Sequence, residues 1–239
     1  MVSAISVNGL RKRFDSAEVL RGIDCDIGAG ESFGLVGANG VGKTTLLKSI
    51  LDYVAADAGE IQIFGISSRQ PLARSRLAFL PEQFVPPYFL RGRDFLTYIS
   101  RLHGVTPDAE HLAAVFDIVQ LGGGAMERSV REFSKGMAQK LGLAATFLSG
   151  KELLIMDEPM SGLDPAARAS IKRHLLSLRD RGTTLLFTTH LLSDVEALCD
   201  RIGILNDGVL GYVGTPQACK AQYGCTSLED AYLECVGAG

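Results

Sequence analysis

The sequence predicts an α/β fold organised around a parallel sheet, and two observations support this prediction. Short apolar runs alternate with helical patterns, most clearly from 152 to 205, and this alternation is typical of a parallel sheet flanked by helices. A glycine-rich stretch also follows a predicted buried strand, Ser32–Val36, and precedes a helical pattern that begins near Thr44. At 239 residues, we expect one domain, 1–239, with a sizeable core.

The residues 2–36, which lead into the glycine-rich stretch, predict a small, largely antiparallel sheet. A first strand, Val2–Val7, is followed by Asn8-Gly9, a pair typical of turns. Leu20–Ile27 alternates apolar and polar residues, and Gly59–Gly65 is a further short alternating segment. Arg76–Leu80 predicts a strand that ends before a proline.

The central part of the chain has a different pattern. Between 84 and 150 no strand pattern occurs, and helical patterns are found at Gly92–Leu102, at Pro107–Gln120 and from Ser134 to Leu148. We therefore predict a helical subdomain at about 84–150, inserted into an α/β core formed by 1–83 and 151–239.

Beyond this insertion the strand and helix alternation returns. The helix at Pro165 has a clear start, because Asp164 occupies the N-cap position and proline the first helical position. The predicted strands are Leu153–Met156, Thr184–Thr188 and Arg201–Leu205, the helices are Pro165–Leu178 and Leu192–Leu198, and a hairpin at Asn206–Gly208 leads to Val209–Val213.

The glycine-rich stretch matches G-x-x-x-x-G-K-[ST], the loop that holds nucleotide phosphates. Its glycines allow backbone N–H groups to converge on an anion, and the following helix adds its positive end. Lys43 would bring a charge to the β- and γ-phosphates, and Thr44 a hydroxyl to Mg²⁺. The loop comprises Gly37, Ala38, Asn39, Gly40, Val41, Gly42, Lys43, Thr44 and Thr45.

Further candidate groups follow the predicted strands. Asp157 and Glu158 end one strand, and parallel sheets bind ligands at the carboxyl ends of their strands. One acid could hold Mg²⁺ while the other takes a proton from water; the alternative is a pair of solvated acids. His190 could contact a γ-phosphate or serve as a core or capping residue, and Gln83 could bind metal or be polar surface.

Composition and charge bear on the partners, the location and the cysteine chemistry of the protein. The net charge of −3 gives no reason to expect a nucleic-acid partner. No apolar run is long enough to span a bilayer and no secretory signal begins the chain, so we expect a cytosolic protein. The cysteines are odd in number and lack C-x-x-C spacing, which favours reduced thiols, although a metal site near the C-terminus stays open. They are Cys25, Cys199, Cys219, Cys225 and Cys235.

Together these motifs resemble the nucleotide-binding subunit of ATP-binding cassette (ABC) transporters over nearly the whole chain. The resemblance implies a P-loop NTPase core of the RecA-like type, with an antiparallel β subdomain and an inserted α-helical subdomain. The matching motifs are Gly37–Thr45 (Walker A), Gln83 (Q-loop), Phe133–Lys140 (signature), Leu153–Glu158 (Walker B), Ser161–Asp164 (D-loop), His190 (switch histidine) and Phe14, at the position of the aromatic that stacks on adenine.

The signature departs from the common form L-S-G-G-Q. Ser134 and Gly136 are retained, whereas Lys135 replaces a glycine and Met137 a glutamine. The S-K-G-M form is similar to that of ATPase subunits in the ABC-2 export group. The segments Leu80–Gln83 and Ser227–Leu233 are also similar to that group.

The resemblance implies a mechanism and partners. Two subunits, either a homodimer or a pair with a different subunit, would enclose two ATP molecules. Each ATP would be held by one Walker A loop and by Ser134 and Gly136 of the other subunit. Glu158 would be the general base, His190 would sense the γ-phosphate, and Asp164 would link the two sites. Lys43 would hold phosphate, and the Mg²⁺ ligands would be Thr44, Gln83 and Asp157.

The resemblance also implies a location. A permease on a separate chain would dock near Phe84–Leu102 and hold the subunit at the inner face of the membrane. The alternatives are an ABC-type ATPase that acts on ribosomes or DNA without transport, and an unrelated P-loop kinase.

Overall fold

The computed structural model describes residues 3–237. Strands and helices alternate along most of the chain, as an α/β fold requires. The strands are β1 Ser3–Phe14, β2 Ala17–Gly28, β3 Ser32–Val36, β4 Ala58–Ile63, β5 Ile66–Ser67, β6 Leu77–Leu80, β7 Leu153–Met156, β8 Thr184–Thr189, β9 Arg201–Asn206 and β10 Val209–Gly214. The helices are α1 Lys43–Ile50, α2 Gly92–Leu102, α3 Ala109–Ile118, α4 Lys135–Leu148, α5 Pro165–Asp180, α6 Leu192–Leu198, α7 Pro216–Gln222 and α8 Leu228–Val236.

A six-stranded sheet forms the centre of the fold, in the order β10-β9-β3-β8-β7-β6. Its strands run parallel apart from β10, which pairs antiparallel with β9. Every residue of β3, β7 and β8 is buried, because both faces of the sheet are covered. The predicted parallel core is therefore confirmed, and the carboxyl ends of its strands meet at one edge.

A second sheet, in the order β2-β1-β4-β5, is antiparallel throughout. The predicted turn at Asn8-Gly9 is wrong, because β1 continues through this pair, where its pairing with β2 shifts register between Val7 and Leu10. Gly9 has a φ of 58° and its N–H donates to Asp24 Oδ1 at 2.6 Å. The pair is a bulge that the neighbouring strands hold in place; the chain reverses after Phe14, and Val2 lies outside the described residues.

The helices α2, α3 and α4 lie between β6 and β7 in the sequence and share one apolar core with the sheet. Leu96 of α2, Phe116 of α3 and Leu141 of α4 belong to the same buried cluster as Leu80 and Met156. The inserted helical layer is therefore packed against the strands that carry the candidate acids. How far this layer forms a separate subdomain at about 84–150 stays a prediction.

Two C-terminal helices, α7 and α8, were not predicted. Thr215 caps α7 and Pro216 follows it, while Ser227 accepts a hydrogen bond from the N–H of Asp230 and donates to its side chain. These are recognisable helix-start signals that the sequence carries.

The cysteines near the C-terminus lie around these two helices. Cys219 is buried in α7, and burial raises the pKa of its thiol to about 11. All the cysteine thiols are free. Within residues 3–237, no group of three or more His, Cys, Asp or Glu side chains is arranged to hold a metal ion. In the same part of the chain, no helix has the length and apolar character needed to cross a bilayer.

Candidate functional site

The loop between β3 and α1 has a backbone that only glycine accommodates at several positions. Gly40 and Gly42 have φ values of 86° and 111°, in the region that side chains disfavour. A Cβ atom on Gly37 would lie 2.5 Å from the carbonyl oxygen of Leu205. The glycines therefore allow the chain to turn tightly from a buried strand into the first turn of α1.

Lys43 is the first residue of α1 and its side chain is 7 % exposed. Its ammonium donates to the carbonyl oxygens of Gly37 at 2.6 Å and Ala38 at 3.1 Å, and lies 3.8 Å from Glu158 Oε1. Burial lowers the pKa of Lys43, and the nearby Glu158 and other carboxylates oppose this effect. The lysine thus brings a positive charge to the inner side of the loop.

Thr44 and Asp157 lie side by side, although they are far apart in the sequence. The Thr44 hydroxyl donates to Asp157 Oδ2 at 2.8 Å. The other carboxylate oxygen, Oδ1, accepts a hydrogen bond from the Thr188 hydroxyl at 2.6 Å. A hydroxyl and a carboxylate next to a phosphate-binding loop are the hard oxygen donors that Mg²⁺ prefers. These residues therefore fit the predicted metal.

Glu158 has an unusual backbone and a partly satisfied side chain. Its φ is 47°, although it is not glycine, and its N–H donates to the Thr188 hydroxyl oxygen at 2.8 Å. Its Oε2 lies 2.9 Å from Nδ1 of His190, whereas its buried Oε1 has no hydrogen-bond partner. A positive φ in a residue other than glycine and an unpaired buried acceptor both cost free energy, and the two coincide at Glu158, beside the phosphate-binding motif.

Thr188 is a site residue that the sequence reasoning missed. Its hydroxyl donates to the Asp157 carboxylate and accepts from the Glu158 N–H, so one side chain fixes both acids. Thr188 is fully buried near the end of β8, which pairs with both β7 and β3. A polar residue after the apolar run Leu185–Phe187, at the carboxyl end of a parallel strand, was the available signal.

A pocket of about 460 Å³ brings most of the predicted residues together. Glu82 and Ser161, which were not predicted to bind the nucleotide, also contribute to its wall, and Ser161 is the first residue of the D-loop motif. The pocket is lined by Ala38, Asn39, Gly40, Gly42, Lys43, Thr44, Thr45, Glu82, Asp157, Glu158, Ser161 and His190. Gly37 and Val41 belong to the same loop but pack inward, against Leu205 and the core beneath.

Gln83 and Phe14 do not line this pocket. Gln83 is exposed on the connection after β6, and its neighbour Glu82 faces the pocket instead. Its role as a Mg²⁺ ligand stays a prediction. Phe14 ends β1 with 45 % of its surface exposed, and the ammonium of Lys12 lies 5.2 Å from its ring centroid. An exposed ring of this kind is available for stacking.

Ser134 and Gly136 lie outside the pocket of their own chain. Ser134 is exposed and caps α4 by accepting a hydrogen bond from the N–H of Met137 at 3.2 Å. Gly136 lies close to Gly162, whose carbonyl oxygen would be 3.2 Å from an added Cβ. The signature helix therefore presents its N-terminus on the surface, beside the segment Ser161–Asp164.

Asp164 joins α5 to the signature helix. It caps α5 through the N–H of Ala167 at 2.9 Å and accepts a hydrogen bond from Lys140 Nζ at 2.6 Å. These two contacts lower the pKa of the Asp164 carboxyl to about 2, with the Lys140 hydrogen bond the larger cause. Lys140 belongs to α4, so the start of α5 is tied to the helix that begins at Ser134.

Comparison with known sequences matches this chain to one family. A sequence profile described as "ABC transporter" matches residues 20–161. An uncharacterized ABC transporter ATP-binding protein of Synechocystis is 40 % identical over 81 % of this chain and 55 % of its own length. The Nod factor export ATP-binding protein I of Burkholderia lata is 35 % identical over 95 % of this chain and 76 % of its own length.

A third relative and one solved structure agree with this match. The daunorubicin resistance ATP-binding protein of Streptomyces coeruleorubidus is 34 % identical over 93 % of this chain and 71 % of its own length. The solved ATP-binding subunit of an ABC transporter covers 98 % of this chain, and the chain covers 99 % of it, with a TM-score of 0.90 and 29 % identity.

The second structure, a dimeric ATP-binding cassette bound to ADP and phosphate, has a TM-score of 0.80 at 19 % identity, with 88 % of this chain and 98 % of that one covered. At that identity the likeness concerns the fold. The present chain spans a little over half the length of two cyanobacterial relatives, with 55 % and 58 % covered.

Replacing Thr188 tests the shared hydroxyl. Thr188→Val removes the donor to the Asp157 carboxylate and the acceptor for the Glu158 N–H, and leaves both of these groups buried. We expect the free energy of unfolding to fall by about 1–3 kcal/mol in urea denaturation. Thr188→Ser retains the hydroxyl and is the matched control, and it should stay within about 1 kcal/mol of the parent protein. Equal stability of the valine variant and the parent would contradict the proposed contacts.

Proposed function

Because the chain belongs to the ABC transporter family, we propose that it is an ATP-binding and ATP-hydrolysing subunit that drives a membrane permease in export. The observation that carries this proposal is the convergence of Lys43, Thr44, Asp157, Glu158 and His190 on one pocket. Export is supported by the S-K-G-M signature and by two relatives, which are named for Nod factor export and for daunorubicin resistance. The cargo is not specified by any of these residues.

ATP would lie with its triphosphate against the loop and the start of α1. Backbone N–H groups of the loop and the positive end of α1 favour an anion there, and Lys43 adds a full charge. Bound Mg²⁺ would neutralise phosphate charge, and Thr44 and Asp157 would hold it. Phe14, at the exposed end of β1, would stack on the adenine ring.

Glu158 would act as the general base. Its Oε1 is buried without a hydrogen-bond partner, so it can accept a proton from an attacking water molecule. Its Oε2 is held by His190 Nδ1 at 2.9 Å, which fixes the orientation of the carboxylate. His190 is itself about half exposed, with 51 % of its side chain accessible, and can face the γ-phosphate from the pocket wall.

A second copy of the chain would complete each site. Ser134 and Gly136 lie outside the pocket of their own chain, at an exposed helix N-terminus that suits an anion. In the proposed homodimer they would face the ATP bound to the other copy, with Asp164 near the boundary. ATP would favour the closed dimer and hydrolysis would favour its opening, and this motion is the output of the subunit.

The permease would dock on an apolar patch that follows β6. Several large apolar side chains are exposed between 85 and 102, namely Val85 at 86 %, Tyr88 at 70 %, Phe89 at 74 %, Tyr98 at 54 % and Leu102 at 64 %. Clustered exposed apolar residues mark interaction surfaces. A partner bound there would hold the subunit at the inner face of the membrane.

Lys43→Ala tests the phosphate loop. The change removes the charge that faces the β- and γ-phosphates, and we expect ATP affinity to fall at least about tenfold, a loss of about 1.4 kcal/mol. Isothermal titration with ATP and Mg²⁺ measures it. Lys48→Ala, at an exposed position of the same helix, should bind as the parent does. Unchanged affinity of the Lys43 variant would rule out this assignment.

Glu158→Gln tests the general base. The amide cannot take a proton, so we expect kcat for ATP hydrolysis to fall by about 10²–10⁴-fold while ATP still binds. The variant should accumulate as an ATP-bound dimer, which gel filtration with light scattering detects. Glu110→Gln, at an exposed position of α3, is the control and should hydrolyse ATP normally. Full hydrolysis by the Glu158 variant would exclude this residue as the base.

Replacing Tyr88 and Phe89 together by serine tests the docking patch. The exposed rings contact each other at 5.9 Å between centroids, and their loss should leave the fold and ATP binding intact. We expect the double variant to lose recovery with washed membranes and co-purification with an integral membrane protein after detergent extraction. Leu233→Ser, an exposed position on α8, is the control. Equal membrane recovery of the double variant would argue against docking at this patch.

A further inference from the structure

A carboxylate outside the pocket is buried with two cations. Asp194 of α6 is 1 % exposed. Its Oδ2 lies 2.9 Å from Nη2 of Arg168, and its Oδ1 lies 2.6 Å from Nζ of Lys172. Arg168 and Lys172 are one helical turn apart on α5, so both side chains reach the same face. This ion triad therefore fastens the first turn of α6 to the middle of α5.

The helix that carries Asp194 has few other means of holding its start. It has seven residues, and its N-cap position is Leu191, which provides no side-chain cap. Short uncapped helices are marginal without tertiary contacts. Val195 and Leu198 are buried beneath the helix, and Asp194 adds a charged tie at its first turn, where a negative charge also suits the helix dipole.

His190 lies in the short connection between β8 and α6. On the β8 side the chain is fixed by pairing of Thr189 with Val36. On the α6 side the N–H of Asp194 donates to the carbonyl oxygen of Leu191 at 3.1 Å. The half-exposed imidazole makes one side-chain hydrogen bond, to Glu158. Its position therefore depends on where the chain is held at these two ends.

Stability alone gives a weak reason for such a triad. Removing charges from water costs several kcal/mol per ion, and apolar residues of similar size often replace a buried ion pair with no loss of stability. A buried ion pair does, however, demand one geometry from the helices that carry it. The triad at Asp194 thus fits a role in fixing the placement of α6 relative to α5.

We propose that Asp194, through its contacts with Arg168 and Lys172, is a positioning residue that holds His190 against Glu158 during ATP hydrolysis. This inference rests on the proposed function, because it assumes that His190 and Glu158 act on ATP. Asp194 itself does not line the pocket. Its effect on catalysis would therefore pass through the connection between β8 and α6.

Asp194→Asn is the test, since it keeps the size of the side chain and removes the charge that holds the two cations. We expect kcat to fall between about tenfold and 10²-fold, because small displacements of positioned groups have effects of this order. Affinity for a non-hydrolysable ATP analogue should stay within about twofold. In a crystal structure of the variant, His190 Nδ1 should no longer lie at 2.9 Å from Glu158 Oε2.

Two further variants serve as a control and as a substitute if the first variant does not fold. Glu196→Gln is the matched control, because Glu196 lies on the same helix in an exposed pair with Lys220, and it should leave kcat and the His190 contact unchanged. If Asp194→Asn does not fold, Lys172→Gln removes one cation of the triad at lower cost. It should lower kcat by a smaller factor and displace His190 in the same way.

His190→Ala separates this inference from the proposed function. A wild-type kcat in that variant would show that His190 takes no part in hydrolysis, and this part of the proposed function would be wrong. A low kcat in His190→Ala together with a wild-type kcat in Asp194→Asn would overturn the positioning role alone. A low kcat in Asp194→Asn with the His190 contact intact would overturn it as well.

Discussion

The alignment of three parallel strand ends is the constraint on which the rest of the structure depends. Val36 of β3 pairs with Thr189 of β8, and Met156 of β7 pairs with Phe187 of β8. These pairings place the phosphate loop, the two acids and the histidine connection at one edge of the sheet. A shift by one residue in any pairing would turn the following side chains to the opposite face. The register of the sheet thus determines which side chains can meet.

Burying charged groups at that edge of the sheet costs free energy, and hydrogen bonds within the site offset most of this cost. Lys43 is satisfied by loop carbonyls, and Asp157 by two hydroxyl donors. Glu158 differs, because its Oε1 accepts no hydrogen bond and lies 3.8 Å from the Lys43 ammonium. A buried acceptor without a hydrogen bond destabilises the protein by itself, and such a cost is consistent with the proposed role of Glu158 as the general base. The network is otherwise closed, which holds this one acceptor in a fixed direction.

The sequence predicted the parts of this arrangement that depend on local pattern. The phosphate-binding loop, the two acids and His190 were predicted because each comes at or soon after the end of a predicted strand. Helix bounds such as Leu192–Leu198 also agree with the structure. The sequence did not predict the features that depend on contacts between distant segments. Asn8-Gly9 has the local chemistry of a turn, but pairing on both sides made it a bulge. Thr188 owes its contacts to two acids that follow another strand, β7. Which of Glu82 and Gln83 lines the pocket depends on the direction in which the chain leaves β6.

Two of the ionic contacts made by α5 and its N-cap residue differ in how far they are buried. Asp164, which meets Lys140 of α4, has 52 % of its side chain exposed, whereas Asp194 is 1 % exposed. Exposed pairs contribute about 0–1 kcal/mol and are screened by salt, while breaking a buried pair costs about 3–5 kcal/mol. Removing one charge of the buried triad is therefore expected to disturb the chain more than removing one charge of the exposed pair between Asp164 and Lys140. By this argument the buried contact between α5 and α6 constrains the geometry of the His190 connection, and the exposed contact between α5 and α4 constrains its helices less.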